Sequence, residues 1–74
     1  RFLRNFFSLP KLIQKKFDKQ LLYLLSDFRH PSLRAKKFDE TRGVWQARVD
    51  DHYRFYFQME GETYILVNIL PHSD

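Results

Sequence analysis

The 74-residue chain has no cysteine, two glycines and three prolines. Without cysteine it can form neither a disulfide staple nor a thiolate metal site, and its composition fits a reducing cytoplasm. Gly43 and Gly61 alone cannot make a glycine-rich phosphate loop. No apolar run approaches the ~20 residues of a membrane helix, and no signal peptide is evident. Asp39-Glu40 and Asp50-Asp51 lack a His at ligand spacing, so neither a metal nor another cofactor is expected. No Ser–His–Asp arrangement stands out. Lys and Arg are absent after Arg54, and residues 29–37, "RHPSLRAKK", contain no acid.

Aromatic residues and lopsided positive charge are what the chain has instead. Eight Phe, four Tyr and one Trp can each bury roughly 150–250 Å². That bulk matters because a single core below about 70–80 residues seldom supplies more than ~3–5 kcal/mol. One domain, residues 1–74, is expected. The net charge is +4, and all thirteen Lys and Arg lie between Arg1 and Arg54. Such a surface concentrates polyanions, of which nucleic acid is the commonest, although charge alone equally describes a solvated face.

Periodicity divides the chain in two. Phe2, Leu3, Phe6 and Phe7 form a short helical stripe that stops before Pro10, which suits the first turn of a new helix. Ile13, Phe17, Leu21, Leu24 and Phe28 then mark one face of an amphipathic helix, with Lys11, Lys15, Lys19 and Gln20 outside it. His30-Pro31 is its expected end. From residue 44 the period is two. Trp45, Ala47, Val49, Tyr53, Phe55, Phe57 and Met59 define an apolar face, with Arg48, Arg54, Tyr56 and Gln58 on the other. "EG" at 60–61 reads as a two-residue hairpin turn. "TYILVNIL" at 63–70 is apolar on both faces and is expected to be a central strand. Residues 33–38 are expected to form an edge strand or an extended approach. The class is α+β: two N-terminal helices packed on one face of a small antiparallel sheet.

Parity constrains the hairpin. Directly opposed residues of an antiparallel pair share a face, so a three-residue turn, Asp50 to His52, places Arg48 opposite Arg54 on the helix-free side. Two opposed guanidiniums repel, and an anion bridging them is expected. The alternative is pairing with Asp50, Asp51 or Glu62. Metal-free RNA cleavage needs a base, cations for the phosphate, and an acid for the leaving oxygen. Arg48 and Arg54 suit the phosphate because their planar forks match its oxygens. His72 is the candidate for proton transfer, and Lys36 and Lys37 offer further cations. Against these stand plainer readings: Lys36 and Lys37 as a solvated edge, His72 as a bystander. His30 and His52 are read as structural, and Tyr56 rather than Trp45 as the stacking platform.

The order of "HPSL…KK", "W–x–x–R–V", "YR" after the turn and a terminal His resembles the RelE/ParE toxin superfamily of type II toxin–antitoxin systems. The resemblance spans nearly the whole chain and implies the RelE-like fold. It implies a metal-independent, ribosome-dependent endoribonuclease that cuts mRNA and is neutralised by a cognate antitoxin. Arg54 would be the catalytic phosphate-binding arginine, Arg48 its partner on the preceding strand, and His72 the proton carrier. Arg34, Lys36, Lys37, Gln46 and Tyr56 would bind RNA or ribosome. An N-terminal strand before Arg1 and a tail after Asp74 are also implied. Two other readings stay open: a ParE-like inhibitor of DNA gyrase that cuts no RNA, and an inactive module that binds an antitoxin.

Overall fold

The computed structural model describes residues 1–72. Helix α1 spans Phe2–Ser8 and α2 spans Lys11–Ser26. Four strands follow, β1 Lys36–Asp39, β2 Val44–Arg48, β3 Tyr53–Glu60 and β4 Thr63–Pro71. They form one antiparallel sheet in the order β1-β2-β3-β4, the α+β arrangement expected from the sequence. Pro10 is the N-cap of α2, and its carbonyl accepts the Ile13 and Gln14 N–H groups. The radius of gyration is 11.5 Å, against about 11 Å for a compact chain of this length.

The core lies between α2 and one face of the sheet. Ile13, Phe17 and Leu24 from the helix meet Ala47, Val49, Phe55, Phe57 and Ile69. Phe55 is 0% exposed, and the Phe17 ring meets it edge-on at 5.1 Å between centroids. Phe2 and Phe6 of α1 extend this aromatic packing onto Phe17, while Leu3 and Phe7 face solvent.

Four local readings are corrected. Helix α2 ends at Ser26, short of His30-Pro31, because the Asp27 carboxylate accepts the Arg29 N–H and turns the chain. Gln20, read as outside the apolar face, is 5% exposed. It can be buried because all its polar atoms find partners, as described below. The last hairpin pairs Glu60 with Thr63, so its two loop residues are Gly61 and Glu62. Gly61 takes φ +58°, the left-handed geometry that tight hairpins demand. Finally, β4 is an edge strand rather than a central one. Its apolar second face is explained by α1, which packs against β4 and donates the Asn5 amide to the Asn68 side chain, and by Ile65 and Leu70, which stay partly exposed.

Truncating Phe55 tests how much one ring carries. Phe55→Ala should cost about 3–5 kcal/mol, comparable to the whole stability expected of so small a core. The variant should show no cooperative urea transition at 25 °C, whereas the wild type should.

Candidate functional site

Strand β2 pairs with β3 so that Arg48 stands opposite Arg54, with Gln46 opposite Tyr56 in the next row. The three-residue turn expected from parity is present: the Val49 N–H donates to the Tyr53 carbonyl at 3.0 Å, leaving residues 50–52 to make the bend. Both arginines therefore lie on the face away from α2. Lys36 pairs with Gln46 and joins them there, whereas Lys37 pairs with Trp45 on the opposite face. The Lys37 ammonium sits 5.9 Å from the Trp45 ring centroid, a position from which it cannot share an anion with Lys36.

The segment after α2 is bent back under the sheet. Leu33 is 0% exposed, and its carbonyl accepts the Arg48 N–H at 2.7 Å. The Gln20 amide reinforces this join, donating to the carbonyls of Ser32 at 3.1 Å and Arg48 at 2.7 Å. Its Oε1 accepts the Ser32 hydroxyl at 3.0 Å. His30 stacks on Tyr23 with ring centroids 3.8 Å apart and accepts the Ser32 N–H at Nδ1. Arg34 emerges from this knot with φ +48°, the one non-glycine residue with positive φ among the described residues. A left-handed conformation costs a residue with a Cβ about 1–2 kcal/mol, so the surrounding contacts must hold it.

These constraints bring Arg34, Lys36, Gln46, Arg48, Arg54 and His72 around one concavity of about 270 Å³. Residues from the 27–35 turn, three strands and the end of β4 thus meet, although they are scattered along the sequence. The His72 N–H donates to the His52 carbonyl at 2.7 Å, tying the end of β4 to the hairpin turn. Tyr56 shares the face but not the concavity. Its ring packs on Phe38 at 4.9 Å. Phe38 was not among the residues expected to matter. Its only signal in the sequence was a large aromatic on a short polar edge segment.

The arginine pair does not need an external anion to relieve its repulsion. Arg48 is paired with the Asp51 carboxylate. The Arg54 guanidinium donates to the carbonyls of Asp50 at 2.6 Å and Tyr53 at 3.0 Å. The expectation that strain between the guanidiniums demands a bridging ligand is thereby corrected. The Asp51 side chain is 76% exposed, however, and surface pairs of that kind contribute about 0–1 kcal/mol.

Asp50 serves the turn rather than the cations. Its carboxylate accepts the N–H groups of His52 at 2.8 Å and Tyr53 at 3.0 Å, and pairs with Lys16 at 3.2 Å. Burial pushes this carboxyl upward, but the His52 N–H, the Lys16 ammonium and the Tyr53 N–H together hold it below its ordinary value of 3.8. At the start of the β1–β2 turn, Asp39 is also lowered. The Thr41 hydroxyl is the chief cause, against a desolvation that raises it and with help from the Arg42 N–H and charge.

No family model, no curated protein and no solved structure matches this chain. Among the described residues no three His, Asp or Glu side chains are grouped to hold a metal ion, and no helix is long and apolar enough to cross a membrane.

Two measurements probe this geometry. The folded Asp50 carboxyl binds fewer protons than the unfolded one near pH 3.8, so its stabilisation is complete above about pH 5. It is lost as pH falls through the ordinary value toward the folded one. Urea midpoints from pH 6 to pH 2 should drop more steeply for the wild type than for Asp50→Asn. The Arg34→Gly variant relieves the positive φ and should fold at least as stably as the wild type. Its anion affinity, measured by displacement of a labelled polyphosphate, should nevertheless fall several-fold.

Proposed function

We propose that this chain is a RelE/ParE-type toxin domain acting in the cytoplasm as a metal-independent, ribosome-dependent endoribonuclease on mRNA. The observation carrying the reading is that four cationic side chains, Gln46 and His72 line one concavity on the sheet face away from α2. A convergent cluster of cations without a carboxylate in its lining suits a phosphodiester better than it suits a neutral or cationic ligand.

Arg48 and Arg54 present guanidinium forks to the non-bridging oxygens of the scissile phosphate. Lys36 and Arg34 take the adjoining phosphates. The 2′-hydroxyl loses its proton and attacks phosphorus, the bond to the 5′ oxygen breaks, and that oxygen takes a proton. The products are a 2′,3′-cyclic phosphate and a free 5′-hydroxyl. His72 transfers one of these protons, and the cations stabilise the charge that builds on the phosphate. A cognate antitoxin silences the activity by covering the basic face.

A second reading is favoured by the internal contacts of Arg48 and Arg54. Side chains already engaged by Asp51 and by backbone carbonyls suit a surface that binds without reorganising for catalysis. The chain would then be a gyrase inhibitor of the ParE kind, or an inactive antitoxin-binding module.

Arg54→Ala should lower mRNA cleavage by about 10²–10³-fold, the usual effect of removing one transition-state donor, and should abolish growth arrest on induction. Mapping of 5′ ends on ribosome-bound mRNA reads the effect directly. Undiminished toxicity without new 5′ ends would sink the nuclease reading and favour the inhibitor. RNA affinity should fall with salt at a log–log slope of about −0.7 per phosphate contacted.

A further inference from the structure

Beside the basic concavity the same sheet face carries a second one, of about 230 Å³. It is lined by Phe38, Tyr56, Val44 and Leu70, with Arg42 and Asn68 also contributing. The two are neighbours by register. Tyr56 lies in the row Lys36–Gln46–Tyr56–Asn68, and Leu70 pairs with Arg54 in the adjoining row. Arg54 and Tyr56 are two positions apart along β3, about 7 Å at the usual strand rise.

The geometry points to a nucleobase subsite here: the base of a single-stranded RNA whose phosphate lies in the basic concavity stacks on Phe38 against Tyr56. This rests on the phosphate-binding reading above and adds to it a contact with the base itself. Three observations support it. Phe38 is 60% exposed, on an edge strand that otherwise carries Lys36, Lys37 and Asp39. A phenylalanine left open to water gains little there from folding alone. Its ring meets that of Tyr56 at 4.9 Å and an interplanar angle of 58°, so the two aromatic groups are already side by side. Lys36 stands in the same register row and Arg48 and Arg54 in the next, so charge complementarity selects a polyanion with flat faces over an apolar peptide.

The remaining lining groups fit a base of unspecified identity. The Arg42 guanidinium is turned toward Asp39, 3.6 Å from its carboxylate. The Asn68 carbonyl oxygen already accepts from Asn5 and from the Ile69 N–H. The Arg1 guanidinium also lines the cavity and adds a cation for the strand's phosphates, so the contact the subsite offers the base itself is chiefly its π-face. Stacking of this kind tolerates every base.

The test compares two fluorescein-labelled hexamers by anisotropy: 2′-O-methyl oligoadenylate, which cannot be cut at its 2′ oxygen, and an abasic oligomer with the same number of phosphates. In Phe38→Ala, affinity for the oligoadenylate should fall about five- to hundredfold, the range for loss of one base–aromatic stack. Affinity for the abasic strand should be unchanged. Phe38→Trp should restore binding, and far-UV circular dichroism should show all variants folded. Arg54→Ala should weaken both ligands. Unchanged oligoadenylate affinity in Phe38→Ala, or an equal loss for both oligomers, overturns the base subsite while the Arg54 result still stands for the phosphate. If neither oligomer binds the wild type, the phosphate reading fails and takes the subsite with it.

Discussion

The Gln20 amide is the interaction on which the functional face depends. It is a buried polar group on the core side of α2, and such a group is tolerated only when its hydrogen bonds are made. Here the 27–35 turn and the end of β2 supply the partners for the helix's side chain. One side chain therefore sets the distance between the segment that presents Arg34 and the strand that presents Arg48. Losing either acceptor would leave a buried donor unsatisfied, at a cost of about 1–3 kcal/mol. That is a large share of what a 74-residue core can supply. Leu33, fully buried and bonded through its carbonyl to Arg48, closes the same joint with apolar contact.

The charged face follows from this frame. Arg48 and Arg54 are opposed because the apolar residues of β2 and β3 must share the helix side, and the pleat leaves alternate residues nowhere else to go. Their repulsion is relieved within the hairpin by Asp51 and by two carbonyls. Asp50 meanwhile holds the bend and reaches Lys16 on α2. The two neighbouring acids of the turn thus divide the work, one organising backbone, the other shielding charge at the surface. That shield is solvent-exposed and contributes only about 0–1 kcal/mol, so the hairpin's stability rests mainly on its buried side.

Much of the hairpin was legible in the sequence. Alternation runs through 45–49 and resumes through 53–59, so register, turn length and the facing of both arginines followed from parity. The stripe Ile13, Phe17, Leu24 likewise announced the core side of α2. The misreadings share a cause: each residue was judged by its type, without knowledge of its partners. Gln20 looked solvent-facing because amides usually are, and only three contacts from distant segments make its burial affordable. Strand β4 looked central because it is apolar on both faces, but α1 and the exposed Ile65 and Leu70 account for that pattern at an edge. Lys36 and Lys37 looked equivalent in sequence, yet the pleat sends them to opposite faces. An exposed phenylalanine such as Phe38 has no local signature in the sequence.

By itself the sequence determined the helix–sheet composition, the hairpin parity and the basic character of the first 54 residues, because these depend on near-neighbour periodicity and on counting charge. Only the tertiary structure decided which cations converge, which one is sent to the far side, and that an aromatic pair lies one register row from the guanidiniums. The physical reason is range. Periodicity acts over a few residues, whereas the site joins positions from 34 to 72 whose proximity is set by long-range strand pairing and one buried amide.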